Sequence, residues 1–331
     1  MTNLAHGRPL VPCLLLAPFL LLGACGTASP RPSEAPANEG APTSEPGLAG
    51  AERTAEVVPG SLRSKSFETI ESLSDLDQAL TPEALEGIGE VDLSGHDWGS
   101  NLARVLAQSE ALAEIVVLDV SDNNLGPAGA RELANGRRLP KLVKLDLGGN
   151  DLGDEGVRAL AGAEPLGHLK VLNLSGNSIT ADGVNVLASS ALFSLTSLDL
   201  SMNPIGAEGA RRIARSDRFS KLKSLYLLGS EIGAEGARSL AESRTLGRLS
   251  VLALSGNALG DEGALALAGS ENLKSLKLLD LSANQITERG ARALAESRSL
   301  ARLESLDAYG NALGTEGERA LRERFGERLR L

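Results

Sequence analysis

The sequence predicts an α/β solenoid, with short parallel strands lining a concave face and helices forming the convex one, and three observations predict it. Asn stands at 123, 150, 177, 203, 257, 284 and 311, with His96 and Ser230 in the same register, and the steps are 27 residues except for one of 26. Aliphatic residues fall eight, five and three positions before each Asn anchor and two after it, as Leu142, Leu145, Leu147 and Leu152 do around Asn150. Aromatic residues make up only 2% of a chain that is 42% hydrophobic, so the core has to be assembled from aliphatic side chains in many thin layers. Self-similarity at such a period marks stacked units that cannot bury a core alone.

Within a unit, the aliphatic residues five and three positions before the anchor alternate as in a strand with one buried face. In GARALA (290–295), Ala291, Leu294 and Ala295 share one side of a helix while Arg292 and Glu296 point away. Each unit therefore reads as strand, turn, helix and return, and successive strands lie parallel through right-handed crossovers. A row of helices is wider than a row of strands, so stacking bends the solenoid into an arc.

The segments LKVLNLSGNSI (169–179) and LKLLDLSANQI (276–286) resemble the leucine-rich-repeat family, over about residues 85–331. The second halves GVRALA (156–161), GALALA (263–268) and GARALA look like the ribonuclease-inhibitor type and its bacterial GALA-containing relatives. The resemblance implies a horseshoe, and it implies that Asn123, Asn150, Asn177, Asn203, Asn257, Asn284 and Asn311 satisfy backbone groups at the turn leaving each strand. Ser230 can replace an amide only in part, so its unit is expected to be the least regular. Residues 61–87 are expected to form an N-terminal cap, with a short helix starting at Thr81-Pro82-Glu83. Repeats are expected over 88–317, and a C-terminal capping helix over 318–331, where Leu321, Phe325 and Leu329 stand at helical spacing.

The N-terminus reads as an address. Leu10 to Leu22 is an apolar run broken by Pro12 and Pro18 and preceded by Arg8, the layout of a signal peptide. As a helix it would span about 20 Å, short of the roughly 30 Å hydrocarbon core of a bilayer. Leu22-Gly23-Ala24-Cys25 resembles a bacterial lipobox, which implies cleavage of residues 1–24 and lipidation of Cys25. Residues 25–60, rich in Pro, Ala, Ser and Glu, are expected to be a disordered tether. Gly26 after the cysteine implies, by the same resemblance, an outer-membrane lipoprotein of the cell envelope.

Composition narrows the partners. The net charge is -10, from 33 basic and 43 acidic residues, which opposes nucleic acid. Cys13 and Cys25 are the only cysteines, so no disulfide framework or thiolate metal site can form in the repeats. His6, His96 and His168 make no triad or metal cluster, and no phosphate-binding loop or nucleophile elbow occurs. Neither an enzyme, a cofactor nor a small-molecule substrate is expected.

Residues six, four and two positions before each anchor face the concave side. The middle column reads Asp92, Asp119, Asp146, Asn173, Asp199, Tyr226, Ala253, Asp280 and Asp307, at a spacing of about 4.8 Å. Carboxylates that close repel by on the order of 1 kcal/mol in water, so the ladder invites a protein with a basic surface; the same Asp residues could instead hold neighbouring backbone or water. Calcium fits poorly, because it needs six to eight oxygens and no bent loop gathers them. Tyr226, Leu228, Val251, Ala253 and Leu278 interrupt the column with an apolar centre flanked by Asp199 and Asp280, which is how protein interfaces are commonly built; local drift of the repeat is the alternative. Tyr309 stands farther along the same face. The expected partner-binding set is thus Asp119, Asp146, Asp199, Tyr226, Leu228, Val251, Leu278, Asp280, Asp307 and Tyr309. The expected function is a non-enzymatic protein-binding scaffold held to the membrane by an N-terminal lipid. A regulator of an enzyme, or a structural or adhesive envelope protein, is the alternative.

Overall fold

A computed structural model describes residues 62–331 except 137, 138, 164, 165, 191 and 193. The expected signal peptide (1–24), Cys25 and the tether to residue 60 lie outside the described residues. Eleven strands form one sheet in chain order, every neighbour parallel. They are β1 Ser64–Ser66, β2 Glu90–Asp92, β3 Val117–Asp119, β4 Lys144–Asp146, β5 Val171–Asn173, β6 Ser197–Asp199, β7 Ser224–Tyr226, β8 Val251–Ala253, β9 Leu278–Asp280, β10 Ser305–Asp307 and β11 Leu329–Arg330. The helices between them are α1 Leu73–Ala79, α2 Ser100–Gln108, α3 Gly126–Asn135, α4 Gly153–Ala161, α5 Ala181–Leu187, α6 Gly206–Arg215, α7 Gly233–Ala241, α8 Gly260–Ala268, α9 Glu288–Glu296 and α10 Gly314–Phe325.

The four aliphatic positions of each unit form the layer between sheet and helices. Leu142, Leu145, Leu147 and Leu152 are no more than 1% exposed, and Val157 and Leu160 of α4 close the layer from the helix side. Burying each such side chain contributes roughly 1.5–3 kcal/mol. Helices approach closely because Gly129, Gly156, Gly236, Gly263, Gly290 and Gly317 are buried and each faces an Ala of the helix before it. A Cβ built on Gly236 would lie 2.7 Å from the Ile232 Cβ and 3.1 Å from the Ala210 Cβ.

A second set of contacts ties the far ends of the helices together. Ser216, Ser243, Ser270 and Ser297 each donate from Oγ to a carbonyl of the preceding unit, those of Ala188, Ala214, Ala241 and Ala268. The same hydroxyls accept backbone N–H groups two or three residues on, as Ser243 does from Thr245 and Leu246. These serines stand thirteen residues after the anchors at 203, 230, 257 and 284, a spacing visible in the sequence.

Both ends differ from expectation. Thr81-Pro82-Glu83 opens consecutive turns rather than a helix: Thr81 Oγ1 accepts from the Ala84 N–H, as an N-cap does, but Gly87 at φ +70° swings the chain into β2. The helix of the cap is α1, capped by Ser72 through the Asp75 N–H. At the other end the helix starts at Gly314, inside the last repeat, and stops at Phe325, because Gly326 takes φ +56° and reverses the backbone. Leu329 and Arg330 do not continue it. They pair with Leu306 and Asp307 as an eleventh strand, giving the backbone groups of β10 a partner on that side.

Candidate functional site: the sheet face

Two columns of polar side chains run across the strands. The first is the anchor ladder. Asn150 is fully buried; its Nδ2 donates to the carbonyls of Val120, Leu147 and Gly148, while its Oδ1 accepts from the N–H groups of Asn123 and Leu125 in the preceding unit. Asn177, Asn203, Asn257, Asn284 and Asn311 repeat this two-way contact, donating to carbonyls of their own and the preceding turn. One amide thus serves two turns. The ladder ends at Asn123, whose buried Oδ1 accepts nothing among the described residues. His96 holds the slot ahead, with its ring stacked on Trp98 at 3.9 Å and its Nε2 3.2 Å from the Phe67 carbonyl.

Ser230 supplies only half of the amide's work. Its Oγ donates to the Leu200 and Leu228 carbonyls, and its N–H reaches Asn257 Oδ1. The missing acceptor matches a change in the turn before it. The residue after the anchor takes positive φ in Asn124, Asp151, Ser178, Glu231, Ala258 and Gln285, but the corresponding residue after Asn203 is Pro204, whose ring forbids that conformation. The Ile205 N–H therefore turns back to the Asn203 carbonyl at 2.7 Å. Pro204 and Ser230, in adjacent units, are two halves of one irregularity.

The second column is the carboxylate ladder. Strand register sets Asp92 beside Asp119, Asp119 beside Asp146, Asp146 beside Asn173 and Asn173 beside Asp199; Asp280 pairs with Asp307 farther on. In each, one oxygen shapes the turn that follows. Oδ1 of Asp92, Asp119, Asp146, Asp199, Asp280 and Asp307 accepts the N–H two residues ahead, at 2.9–3.0 Å. The backbone-binding alternative is thus realised at Oδ1, and at Asp307 the second oxygen lies 3.7 Å from Arg330 Nε. Burial and then the neighbouring Asp146 push the Asp119 carboxyl above the usual carboxylate range, against the Ser121 hydrogen bonds that favour its anion. Burial, reinforced by Asp280, raises Asp307 in the same way, against the Tyr309 N–H and Arg330. Asn173 shows how the column can be neutralised in place: it keeps the Ser175 bond through Oδ1 and donates Nδ2 to Asp146 at 2.8 Å.

Asp119→Asn is accordingly expected to raise the unfolding midpoint at neutral pH, by a free energy on the order of 0.5–1 kcal/mol. The sign follows from the raised pKa: the wild-type penalty is full above the folded-state value and is removed as pH falls through it. The variant's advantage should therefore vanish in acid, and denaturant titrations at neutral and acidic pH check this.

The apolar interruption is a correction to the sequence reading. Tyr226 is only 1% exposed, Val251 6% and Leu278 5%; with Ala253, and with half-buried Leu228 against them, they form a small cluster separate from the main core. Register explains why: Tyr226, Ala253 and Asp280 are neighbours in one column and Ser224, Val251 and Leu278 in the next, so bulky groups about 4.8 Å apart cover one another. Tyr226, Val251 and Leu278 are floor, not exposed anchors. Asp199 and Asp307 are also largely covered, whereas Asp119, Asp146 and Asp280 are half-buried. The accessible aromatic of this face is Tyr309, 64% exposed. No group of three or more His, Cys, Asp or Glu among the described residues could hold a metal ion, and none of their helices is long and apolar enough to cross a membrane.

A family model described as Leucine Rich repeat matches residues 115–134, 138–161, 168–188, 191–214, 249–268 and 272–295. These are leucine-rich repeats. Within the leucine-rich-repeat array, the model passes over 215–248, the stretch that holds Tyr226 and Ser230. No curated protein matches the chain. Among solved structures, it is similar to one in the mouse RP105/MD-1 complex, at 18% identity and a TM-score of 0.45 over 76% of this chain and 44% of that one. It is also similar to one in a complex of TLR13 with ssRNA13, at 18% identity and a TM-score of 0.48 over 77% of this chain and 37% of that one. The chain spans less than half the length of either.

Proposed function

We propose that this leucine-rich-repeat chain is a non-enzymatic, protein-binding scaffold of the bacterial envelope, lipidated at Cys25, whose acidic sheet face takes a partner with a basic surface. The observation that carries the reading is the register column Asp92, Asp119 and Asp146, where carboxylates stay close together although their proximity and burial work against ionisation of Asp119. A cationic partner relieves that repulsion, so complementary charge supplies attraction and orientation together. Tyr309 is the exposed aromatic available as an anchor beside Asp307.

The test is capture from envelope extracts by the full-length protein and by a triple variant, Asp92→Asn, Asp119→Asn and Asp146→Asn. One stoichiometric basic protein, held in low salt, released by high salt and lost from the variant, is the expected result. Equal recovery by both proteins would remove the acidic ladder from the function. Incorporation of labelled palmitate, abolished by Cys25→Ser, tests the anchor separately.

A further inference from the structure

The charges of the solenoid are sorted between its two edges. One is the leading edge, formed by the loops that run from a helix into the next strand; the other is the trailing edge, formed by the turns that leave the strands. The trailing edge carries its acids mainly over the earlier repeats: Asp97, Asp122 and Asp151, with Glu231 farther on, all stand exposed in turns with positive φ. The leading edge is basic over the later repeats. Arg215, at the end of α6, and Lys221 precede β7, Arg244 and Arg248 precede β8, and Arg298 and Arg302 precede β10. All six are exposed, and none has a carboxylate partner within 4.0 Å among the described residues.

Parallel stacking explains why they form one surface, since equivalent loops of successive units are held side by side along a single edge. A shallow cavity of about 420 Å³ at the centre is lined by Lys221, Arg244 and Arg248, with Asp217 as its one carboxylate. Its hydroxyls are committed elsewhere: Ser220 Oγ donates to the Asp217 carbonyl and Thr245 Oγ1 to the Ala214 carbonyl. The donors left for a partner are guanidinium and ammonium groups, which select anionic oxygen over neutral hydroxyl. The large aromatic side chain nearby, Phe219, is 1% exposed, so the edge offers no platform for stacked bases.

We propose that the leading edge of the later repeats rests on a membrane surface containing anionic lipid. The proposal builds on the envelope-anchored reading above and adds an orientation to it. Phosphodiester headgroups attract Arg215, Lys221, Arg244 and Arg248 and repel Asp97, Asp122 and Asp151 on the opposite edge. The molecule is thereby held edge-on, with the carboxylate ladder between the edges and open to a partner. The attraction acts within a Debye length, about 10 Å at moderate salt.

The test is flotation of the full-length protein with phosphatidylcholine vesicles, pure or containing one-third phosphatidylglycerol, and its readout is the ratio of the two affinities. Any contribution of the N-terminus to neutral vesicles divides out of that ratio. The expected result is at least a tenfold preference for the anionic vesicles at low salt, lost in a quadruple variant, Arg215→Glu, Lys221→Glu, Arg244→Glu and Arg248→Glu, whose thermal unfolding is unchanged. Equal affinity of the wild type for both vesicles, or a preference kept by the variant, overturns the proposal. Tight binding of long-chain polyphosphate without any vesicle preference reassigns the edge to a soluble polyanion and overturns it equally. Cys25→Ser distinguishes the two readings: unchanged binding to neutral vesicles sinks the lipid anchor, while the charge preference still reports on the edge.

Discussion

Asn177→Ala is expected to lower the unfolding free energy by about 3 kcal/mol, the upper end of the range for leaving a buried polar group unpaired. The side chain is fully buried; it accepts the N–H groups of Asn150 and Leu152 and donates to the carbonyls of Leu147 and Ser175. Alanine strands the Asn150 and Leu152 N–H groups where water has no ready access, and leaves the Leu147 and Ser175 carbonyls with one partner each, Asn150 Nδ2 and the Gly149 N–H; these groups belong to two successive turns. Because a solenoid is stabilised by contacts between neighbours, the damage falls on a junction. The denaturation curve should therefore shift to lower denaturant and broaden, as the units before and after residue 177 lose part of their coupling. An unchanged midpoint would mean that the amide does not hold the turns together.

Gly236→Val is the second large effect, expected to destabilise by about 3 kcal/mol through overpacking. Gly236 sits in α7 where the Ala210 methyl of α6 approaches, and even a Cβ would stand 3.1 Å from that methyl and 2.7 Å from Ile232 Cβ. Both neighbours are buried, Ala210 and Ile232 alike at 0% exposure, so neither can swing into solvent. Alanine at the same place should cost less, because the roughly 1 kcal/mol gain in helix propensity over glycine offsets part of the clash. Gly247→Ala provides the control, since the nearest atom to its Cβ would be the Asn272 carbonyl at 3.7 Å, ordinary contact. Thermal unfolding of the three variants side by side checks the order; a Gly236→Val protein as stable as Gly247→Ala would show that the helices can separate at no cost.

Much of the architecture was legible because each unit repeats the same instructions. The Leu positions around Asn150 and the Asp column were readable from spacing alone, since strand periodicity fixes which side chains share a face and stacking fixes which become neighbours. The column of Tyr226 was legible from spacing, but its burial was not. Its burial depends on Val251 and Leu278 two strands and fewer away, and contacts across strands carry no local signal. The pairing of Pro204 with Ser230 was hidden for the same reason: each looks like an isolated departure until the turn geometry joins them. The extent of the last helix was misjudged because apolar spacing at Leu321, Phe325 and Leu329 suits a helix, whereas Gly326 ends it and the open edge of β10 offers Leu329 and Arg330 strand partners.

The amino-acid sequence by itself determined the repeat length, the aliphatic layers, the Asn positions and the order of strand and helix, because all of these follow from periodicities of the chain with itself. Tertiary structure decided which groups meet water. It closed the apolar cluster over Tyr226, tied one oxygen of each ladder Asp to the turn that follows, linked serines to the carbonyls of the unit before, and gathered cations of separate loops along one edge. The physical reason is that burial and charge proximity are properties of neighbours brought together by stacking, and those neighbours lie about 27 residues apart in the chain.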